Sequence, residues 1–322
     1  MSDKEKNKAV IGRVKETIEK ETQSQYGLLE MQSLWATWRE AVIAMDLSWN
    51  NMFQFGDSLI GFALRVVYGT AITPSLKSKW DADEDGKCKL CLVEPGTIQH
   101  ILSGCNKALE QKRYTWRHDK VLRQIYNQVL YHVEHRVNNP RRSTTTRTEG
   151  EKVEFVGLGE KVASLPTKRR GYGSMGIMTA AKDWKVLVDL DKQLKFPQEV
   201  QVQTTQRPDL IMYSNSIKRI IWWELTCPSE ENISKNHDRK LNKYADLQVD
   251  CQTAGWSCYN VAIEVGARGF AAESLQRAAT AIGIKGRAAK KLVREVGQEA
   301  LHCSKWIYWL SDKKERETRD VA

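Results

Sequence analysis

Arg207-Pro208-Asp209-Leu210-Ile211-Met212-Tyr213-Ser214-Asn215-Ser216-Ile217-Lys218-Arg219-Ile220-Ile221-Trp222-Trp223-Glu224-Leu225-Thr226 is the stretch whose pattern decides the fold. Two runs rich in Ile, Leu, Trp and Tyr flank a polar turn through Ser214-Asn215-Ser216, which predicts a hairpin of strands over 210–213 and 219–225. Asp209 opens the first strand and Glu224 closes the second, so antiparallel pairing brings two carboxylates to neighbouring positions at one end of a sheet. A strand over 185–190, Lys-Val-Leu-Val-Asp-Leu, is expected before the hairpin. A helix over 230–251 and a strand over 260–265 are expected after it, and this order reads as an α/β unit.

Outward from that unit the period lengthens. Between Gln32 and Thr73 apolar residues recur every three or four positions, predicting helices that end at Thr73-Pro74. A helix over 116–137 carries Val121, Leu122, Ile125, Val129, Leu130 and Val133 on one face. Residues 138–150 are polar, basic and contain Pro140, as expected of a domain boundary. The segment 274–310 is helical and amphipathic, interrupted at Gly283 and Gly286. The first 26 residues are rich in Lys, Glu, Ser and Gln and read as a tail, within which a helix over 9–20 has little to pack against. The expected class is α+β: a polar tail over 1–30, a helical region over 31–137, a basic linker over 138–170, an α/β core with a mixed central sheet over 171–270, and C-terminal helices over 271–322.

At 322 residues and 41% hydrophobic the chain can bury a sizeable core. A net charge of +10 and a pI of about 9.2 favour a polyanionic partner. The apolar stretch 59–67 is interrupted by Arg65, and Met1 to Lys8 is polar, so neither a membrane span nor a signal peptide is expected. The chain therefore reads as soluble and intracellular, with no membrane partner. Of seven cysteines, three cluster with a histidine, which fits free thiols and a metal site better than a disulfide framework.

That cluster is Cys88-x2-Cys91-x8-His100-x4-Cys105. Three thiolates and one imidazole match a closed tetrahedral zinc site, structural because four protein ligands leave no open position. Such a knuckle either touches nucleic acid or staples the helices around it, and the spacing leaves both open. The following Lys112-Arg113-Tyr114-Thr115-Trp116-Arg117-His118-Asp119-Lys120 interleaves cations with aromatics. Lys112, Arg113, Trp116 and Arg117 are candidates for pairing with phosphates and stacking on bases. Arg141, Arg142, Lys168, Arg169 and Arg170 extend this set, in a run over 106–170 with an excess of about eight positive charges. His118 reads as a helix-start residue bonded to Asp119 or to backbone.

Hard oxygen ligands such as Asp209 and Glu224 suit Mg²⁺ or Mn²⁺, and phosphodiester hydrolysis also wants a lysine near the attacking water. In the common version of the motif that lysine lies two residues after the second acid, where this chain has Thr226. Lys240, Lys243 and Tyr244, spaced i, i+3 and i+4 on the next helix, share a face as candidate catalytic residues, and one of the two lysines, Lys240 slightly favoured over Lys243, offers the cation instead. Glu264 reads either as a further acid near the site or, the favoured reading, as a partner of Arg268.

From about Trp35 to Trp309 the chain resembles the C-terminal region of reverse-transcriptase polyproteins from LINE-type retrotransposons that carry a restriction-like endonuclease. The resembling pieces are the Cys88–Cys105 cluster, Arg113 to Asp119, Arg207-Pro208-Asp209-Leu210, Glu224-Leu225-Thr226-Cys227-Pro228, Lys240-x2-Lys243-Tyr244, and Ile263-Glu264-Val265-Gly266-x-Arg268-Gly269-Phe270. The resemblance implies a zinc knuckle followed by a nuclease of the PD-(D/E)XK superfamily, with Asp209 and Glu224 as its metal-binding acids. It also implies a catalytic lysine displaced to the helix and nicking of chromosomal DNA, hence a nuclear location. The element's RNA and a separate reverse transcriptase are the further partners implied. Fingers, palm and polymerase carboxylates are missing from this sequence, so no reverse-transcriptase activity is expected. Two other readings stand beside the nuclease: a catalytically silent nucleic-acid-binding protein, and an interaction remnant in which the tryptophans of Leu34 to Trp49, Trp35 and Trp38 among them, dock a partner.

Overall fold

Strand residues alternate between two interiors, and this alternation sets the layering. A computed structural model describes residues 2–29, 33–43, 56–138, 176–178, 181–190 and 192–312. Among these, β1 (Lys185–Val188), β2 (Leu210–Ser214), β3 (Arg219–Thr226) and β4 (Ser257–Glu264) form one mixed sheet in the order β1-β2-β3-β4. The first two pairings are antiparallel and β3–β4 is parallel. The described helices are α1 (Asp3–Gly27), α2 (Leu34–Trp38), α3 (Asp57–Val67), α4 (Pro74–Lys77), α5 (Asn106–Glu110), α6 (Arg113–His132), α7 (Ile233–Lys243), α8 (Ala245–Thr253), α9 (Glu273–Ala281) and α10 (Arg287–Trp309). The fold is α+β, and α7 and α8 supply the crossover that parallel strands β3 and β4 require.

Leu210, Met212, Ile221, Trp223 and Leu225 face one way, onto Val121, Leu122, Ile125 and Val129 of α6, Leu275 of α9, and Leu292 and Val296 of α10. Ile211, Tyr213, Ile220 and Trp222 face the other, onto Tyr244, Leu247 and Cys251. Both faces are covered, which is why β2 and β3 read as nearly continuous apolar runs rather than as strict alternation. Each of these side chains contributes about 1.5–3 kcal/mol by leaving water. A third cluster joins Leu59, Phe62 and Val66 of α3 to Ile98, Ile101 and Leu102 and to Leu301 and Ile307 of α10.

The core crosses the expected domain boundaries. Helix α6, placed by its sequence in a first helical region, and the C-terminal helices share one apolar interior with the sheet. The 138–170 segment, with Arg141, Arg142, Lys168, Arg169 and Arg170, falls outside the described residues except for Asn138. Helix α1 is longer than the expected 9–20, and its described side chains are exposed along its length. The helix expected over 230–251 begins with a tight turn at Glu230–Asn232 and breaks at Tyr244 (φ −111°, ψ 16°), whose ring is drawn into the core beneath Trp222. β1 stops at Val188, and β4 starts at Ser257, earlier than the expected 260. Helices α9 and α10 flank the interruption at Gly283 and Gly286 as their sequence predicts. No helix among the described residues is long and apolar enough to cross a membrane.

Two residues expected to meet phosphates are buried instead. Arg113 and Arg117 lie on the buried side of α6, at 6% and 0% exposure. Arg113 donates to the Leu310 carbonyl at 2.7 Å. Arg117 donates to the Leu102 carbonyl and Ser304 Oγ, each at 2.9 Å, and to the Cys227 carbonyl at 2.8 Å. A guanidinium has five donors in a fixed fork, and here that fork joins the cysteine-rich segment, α10 and the end of β3. Arg117→Met is expected to destabilise the protein by about 3 kcal/mol or more, because buried acceptors lose a charged donor at once. Urea unfolding measures this, and a loss under about 1 kcal/mol would contradict the joint. Trp38, expected on a docking surface, is 3% exposed and packs on Phe270 at 5.0 Å and under the Arg268 guanidinium at 5.7 Å.

Candidate functional site

Carboxylates gather at one end of the sheet because of strand direction. Val188 pairs with Leu210 and Leu210 with Trp223, so the next positions set Asp189 opposite Asp209 and Asp209 opposite Glu224. The Asp189 N–H donates to the Asp209 carbonyl at 2.9 Å, and the Asp209 N–H donates to Glu224 Oε2 at 3.2 Å. The two acids expected to be neighbours are therefore cross-strand neighbours. Asp189 was not anticipated. Its place at the end of a strand just before the hairpin was the available signal, and its Oδ1 caps the Leu194 N–H at 3.0 Å.

Glu224 is 1% exposed, and both its oxygens are engaged. Lys240 and Lys243 both donate to Oε1, Lys243 at 2.9 Å. The Tyr244 hydroxyl donates to Oε2 at 2.9 Å. All three helix residues picked from their spacing thus converge on one carboxylate. The break after Lys243 helps, because it turns Tyr244 inward while both lysines still reach over the strand end. Burial and the negative charge of Glu224 push the Tyr244 phenol well above its ordinary range, so it stays a donor. The two lysines differ in surroundings: Lys240 is 18% exposed and Lys243 47%, and Lys243 also donates to the Tyr244 hydroxyl at 2.8 Å. Thr226 is on the same face as Glu224, and its hydroxyl finds no hydrogen-bond partner among the described residues.

Asp209 is held differently. Its Oδ2 accepts from the Leu225 N–H at 2.7 Å and faces His118 Nε2 at 3.2 Å. The other ring nitrogen of His118 lies 3.0 Å from Asp119 Oδ1. Burial works against the charged imidazole, but the hydrogen bonds to Asp119 and Asp209 override it and raise His118 to about 9. Burial likewise disfavours the ionised Asp209, yet His118 and Lys240 hold its carboxyl below the ordinary aspartate range. Sequence placed His118 correctly beside Asp119 and missed Asp209, since no local pattern reports a contact across 91 residues. Asp209, Glu224, His118, Lys240, Lys243 and Arg207 all line one cleft of about 730 Å³.

The cysteine cluster forms as its spacing predicts. A short bridge between Lys87 and Pro95 carries Cys88 and Cys91, and a wide helical turn over His100–Gly104 brings Cys105 back beneath them. The four candidate ligand atoms lie within 4.8 Å of one another, with Cys91 Sγ 3.4 Å from His100 Nε2 and Cys88 Sγ 4.0 Å from Cys105 Sγ. A tetrahedral zinc with bonds of about 2.0–2.3 Å spaces its ligand atoms by about 3.5–3.8 Å, so Cys88, Cys91, His100 and Cys105 could hold a structural zinc. All seven cysteines are free thiols. Tyr114 ties α6 to this cluster, its hydroxyl accepting from the Cys105 N–H at 3.0 Å and donating to the Ile101 carbonyl at 2.9 Å. Lys112 and Trp116 remain on the surface, Trp116 at 40% exposure.

Glu264 does not pair with Arg268. It accepts from Ser274 Oγ at 2.5 Å and faces His237 Nδ1 at 3.0 Å, while Arg268 is taken by Glu230 at 2.7 Å and Glu231 at 3.0 Å. The reason is register: Glu264 ends β4 opposite Thr226, whereas Arg268 follows a turn that carries its guanidinium over the Trp38 ring. The chain matches no protein-family model and no curated protein.

Proposed function

We propose that the chain is a metal-dependent DNA endonuclease of the PD-(D/E)XK type, related to the nicking nuclease of LINE-type retrotransposons and separate from any polymerase. One observation carries this reading: Asp209 and Glu224 are cross-strand neighbours in an open cleft, with Lys240 and Lys243 on the second acid. Asp209 Oδ1, which no hydrogen bond among the described residues takes, and Glu224 are hard oxygen donors that fit Mg²⁺ or Mn²⁺. Bound there, such an ion supplies Lewis acidity toward a phosphoryl oxygen and a water of lowered pKa. Asp209 and Glu224 would hold the ion; Lys243, the more exposed lysine, would be the one free to swing off Glu224, and Lys240, the more enclosed, would orient the attacking water and offset the growing negative charge. Arg207 at the cleft and Lys112 and Trp116 on the surface hold the DNA backbone, and zinc in the cysteine cluster keeps the cleft wall in place. DNA as substrate puts the protein's work in the nucleus.

Supercoiled plasmid incubated with the purified, zinc-loaded protein and Mg²⁺ tests this. Nicking that requires the divalent ion and disappears in Asp209→Ala supports the reading, and nicking indifferent to that change overturns it. A second reading has support in the full engagement of Glu224 by two lysines, a tyrosine and a backbone N–H, which leaves the acid neutralised without a metal. On that reading the protein binds nucleic acid without cutting it, and salt-sensitive binding survives Asp209→Ala with no nicking in any divalent ion.

A further inference from the structure

The Asp209 carboxylate is held through one of its two oxygens. Its Oδ2 sits between the Leu225 N–H at 2.7 Å and His118 Nε2 at 3.2 Å, and neither contact is to Oδ1. A carboxylate clamped through one oxygen by two donors cannot spin about its last bond, so the orientation of the other oxygen is set. His118 is itself oriented: Asp119 Oδ1 faces its Nδ1 at 3.0 Å, and helix α6, which carries both residues, is anchored by Arg117 and by four buried aliphatic residues against the sheet. The side chains of His118 and Asp209 are 23% and 15% exposed, enclosed enough to hold one geometry yet open on the cleft. The pair joins a residue of α6 to the residue just before β2, 91 positions apart, which local chain geometry does not require.

We propose that His118, aligned by Asp119, is a positioning residue that holds Asp209 with Oδ1 presented to the cleft for the divalent ion. This rests on the nuclease reading above. His118 does not touch the substrate or the metal; it acts through Asp209. Hydrogen-bond partners of ligating carboxylates commonly contribute about 10–100-fold in metal affinity. The donor that matters here is the one at Nε2, and two amide side chains separate it from the one at Nδ1. Glutamine places an N–H₂ at about the reach of Nε2, whereas asparagine reaches only as far as Nδ1.

Mn²⁺ titration followed by electron paramagnetic resonance, on zinc-loaded protein whose fold is confirmed by circular dichroism, provides a readout independent of cutting. Thiolates favour zinc over Mn²⁺, so the cysteine cluster does not compete for the probe. His118→Ala and His118→Asn are expected to weaken Mn²⁺ binding about 10–100-fold. His118→Gln is expected to stay within a few-fold of wild type, and Asp209→Asn to abolish the site. If wild type binds Mn²⁺, Asp209→Asn abolishes it and His118→Ala leaves it unchanged, the positioning role is overturned and the nuclease reading stands. Equal weakening by the Gln and Asn variants also overturns it, since packing alone would then explain the loss. Absence of any Mn²⁺ site in wild type overturns the nuclease reading and this inference together.

Discussion

Cys105→Ser, or a chelator strong enough to strip the cysteine cluster, is expected to lower the thermal midpoint sharply and to abolish the activity of a cleft that contains none of the four ligands. The size follows from what a zinc site contributes. Structural zinc in small knuckles is worth about 10 kcal/mol or more, while a whole domain is stable by about 5–15 kcal/mol. Here the segment over 88–105 has little core around its cysteines, where Cys88 and Cys105 pack on Ala108 of α5. Its buried Ile98, Ile101 and Leu102, however, pack on α3 and the end of α10. Without a metal, burial keeps the Cys105 thiol neutral, pushing it up to about 11, and no shared ion draws Cys88, Cys91, His100 and Cys105 together. Loss of the cluster then propagates by named contacts. Tyr114 loses the Cys105 N–H and the Ile101 carbonyl, and Arg117 loses the Leu102 carbonyl. Gln99 loses its bond to Ser229, which stands on the cleft wall. Since Arg117 and His118 are adjacent on α6, disorder there reaches Asp209. Differential scanning calorimetry with and without chelator, together with metal analysis, checks this. An unchanged midpoint after complete zinc removal would contradict the scaffold role.

What could be read from residue order and what could not divide along physical lines. The hairpin was legible because its two apolar runs, its polar turn and its terminal acids are local and reinforce one another. Lys240, Lys243 and Tyr244 were legible because helical spacing puts them on one face, even though the helix itself breaks at the tyrosine. The cysteine spacing was legible because ligand geometry constrains it. Arg113 and Arg117 were misread because the composition of a basic, aromatic stretch does not say which face of a helix is buried, and that face was decided by α10, about 190 residues further on. His118 and Asp189 were missed for a related reason. Their importance comes from standing next to Asp209 in space, and only the pairing of β1 with β2 and the docking of α6 put them there.

Glu224→Gln is expected to reduce metal-dependent nicking by at least about 10²–10³-fold, the scale for removing one preorganised electrostatic group, and to destabilise the protein at the same time. The second effect separates this site from a simple ligand. The glutamate is the shared acceptor of two ammonium groups, the Tyr244 hydroxyl and the Asp209 N–H, at 1% exposure. Removing the charge while keeping the volume leaves two like charges facing each other across a neutral amide, and breaking a buried pair in this way costs about 3–5 kcal/mol. Lys240 carries most of that penalty because it is the more enclosed lysine; Lys243 can turn to water. Lys240→Met in the Glu224→Gln background is therefore expected to recover much of the lost stability and none of the activity, while Lys243→Met recovers little of either. The double-mutant cycle in urea gives the coupling between Glu224 and each lysine, and the plasmid assay on the same proteins gives the rates. Equal coupling for both lysines would contradict the division of roles between them, and undiminished nicking by Glu224→Gln would remove Glu224 from the chemistry. If stability follows the lysines while cutting follows the two acids, then the contacts that neutralise the cleft when no ion is bound are distinct from the contacts that make it cut.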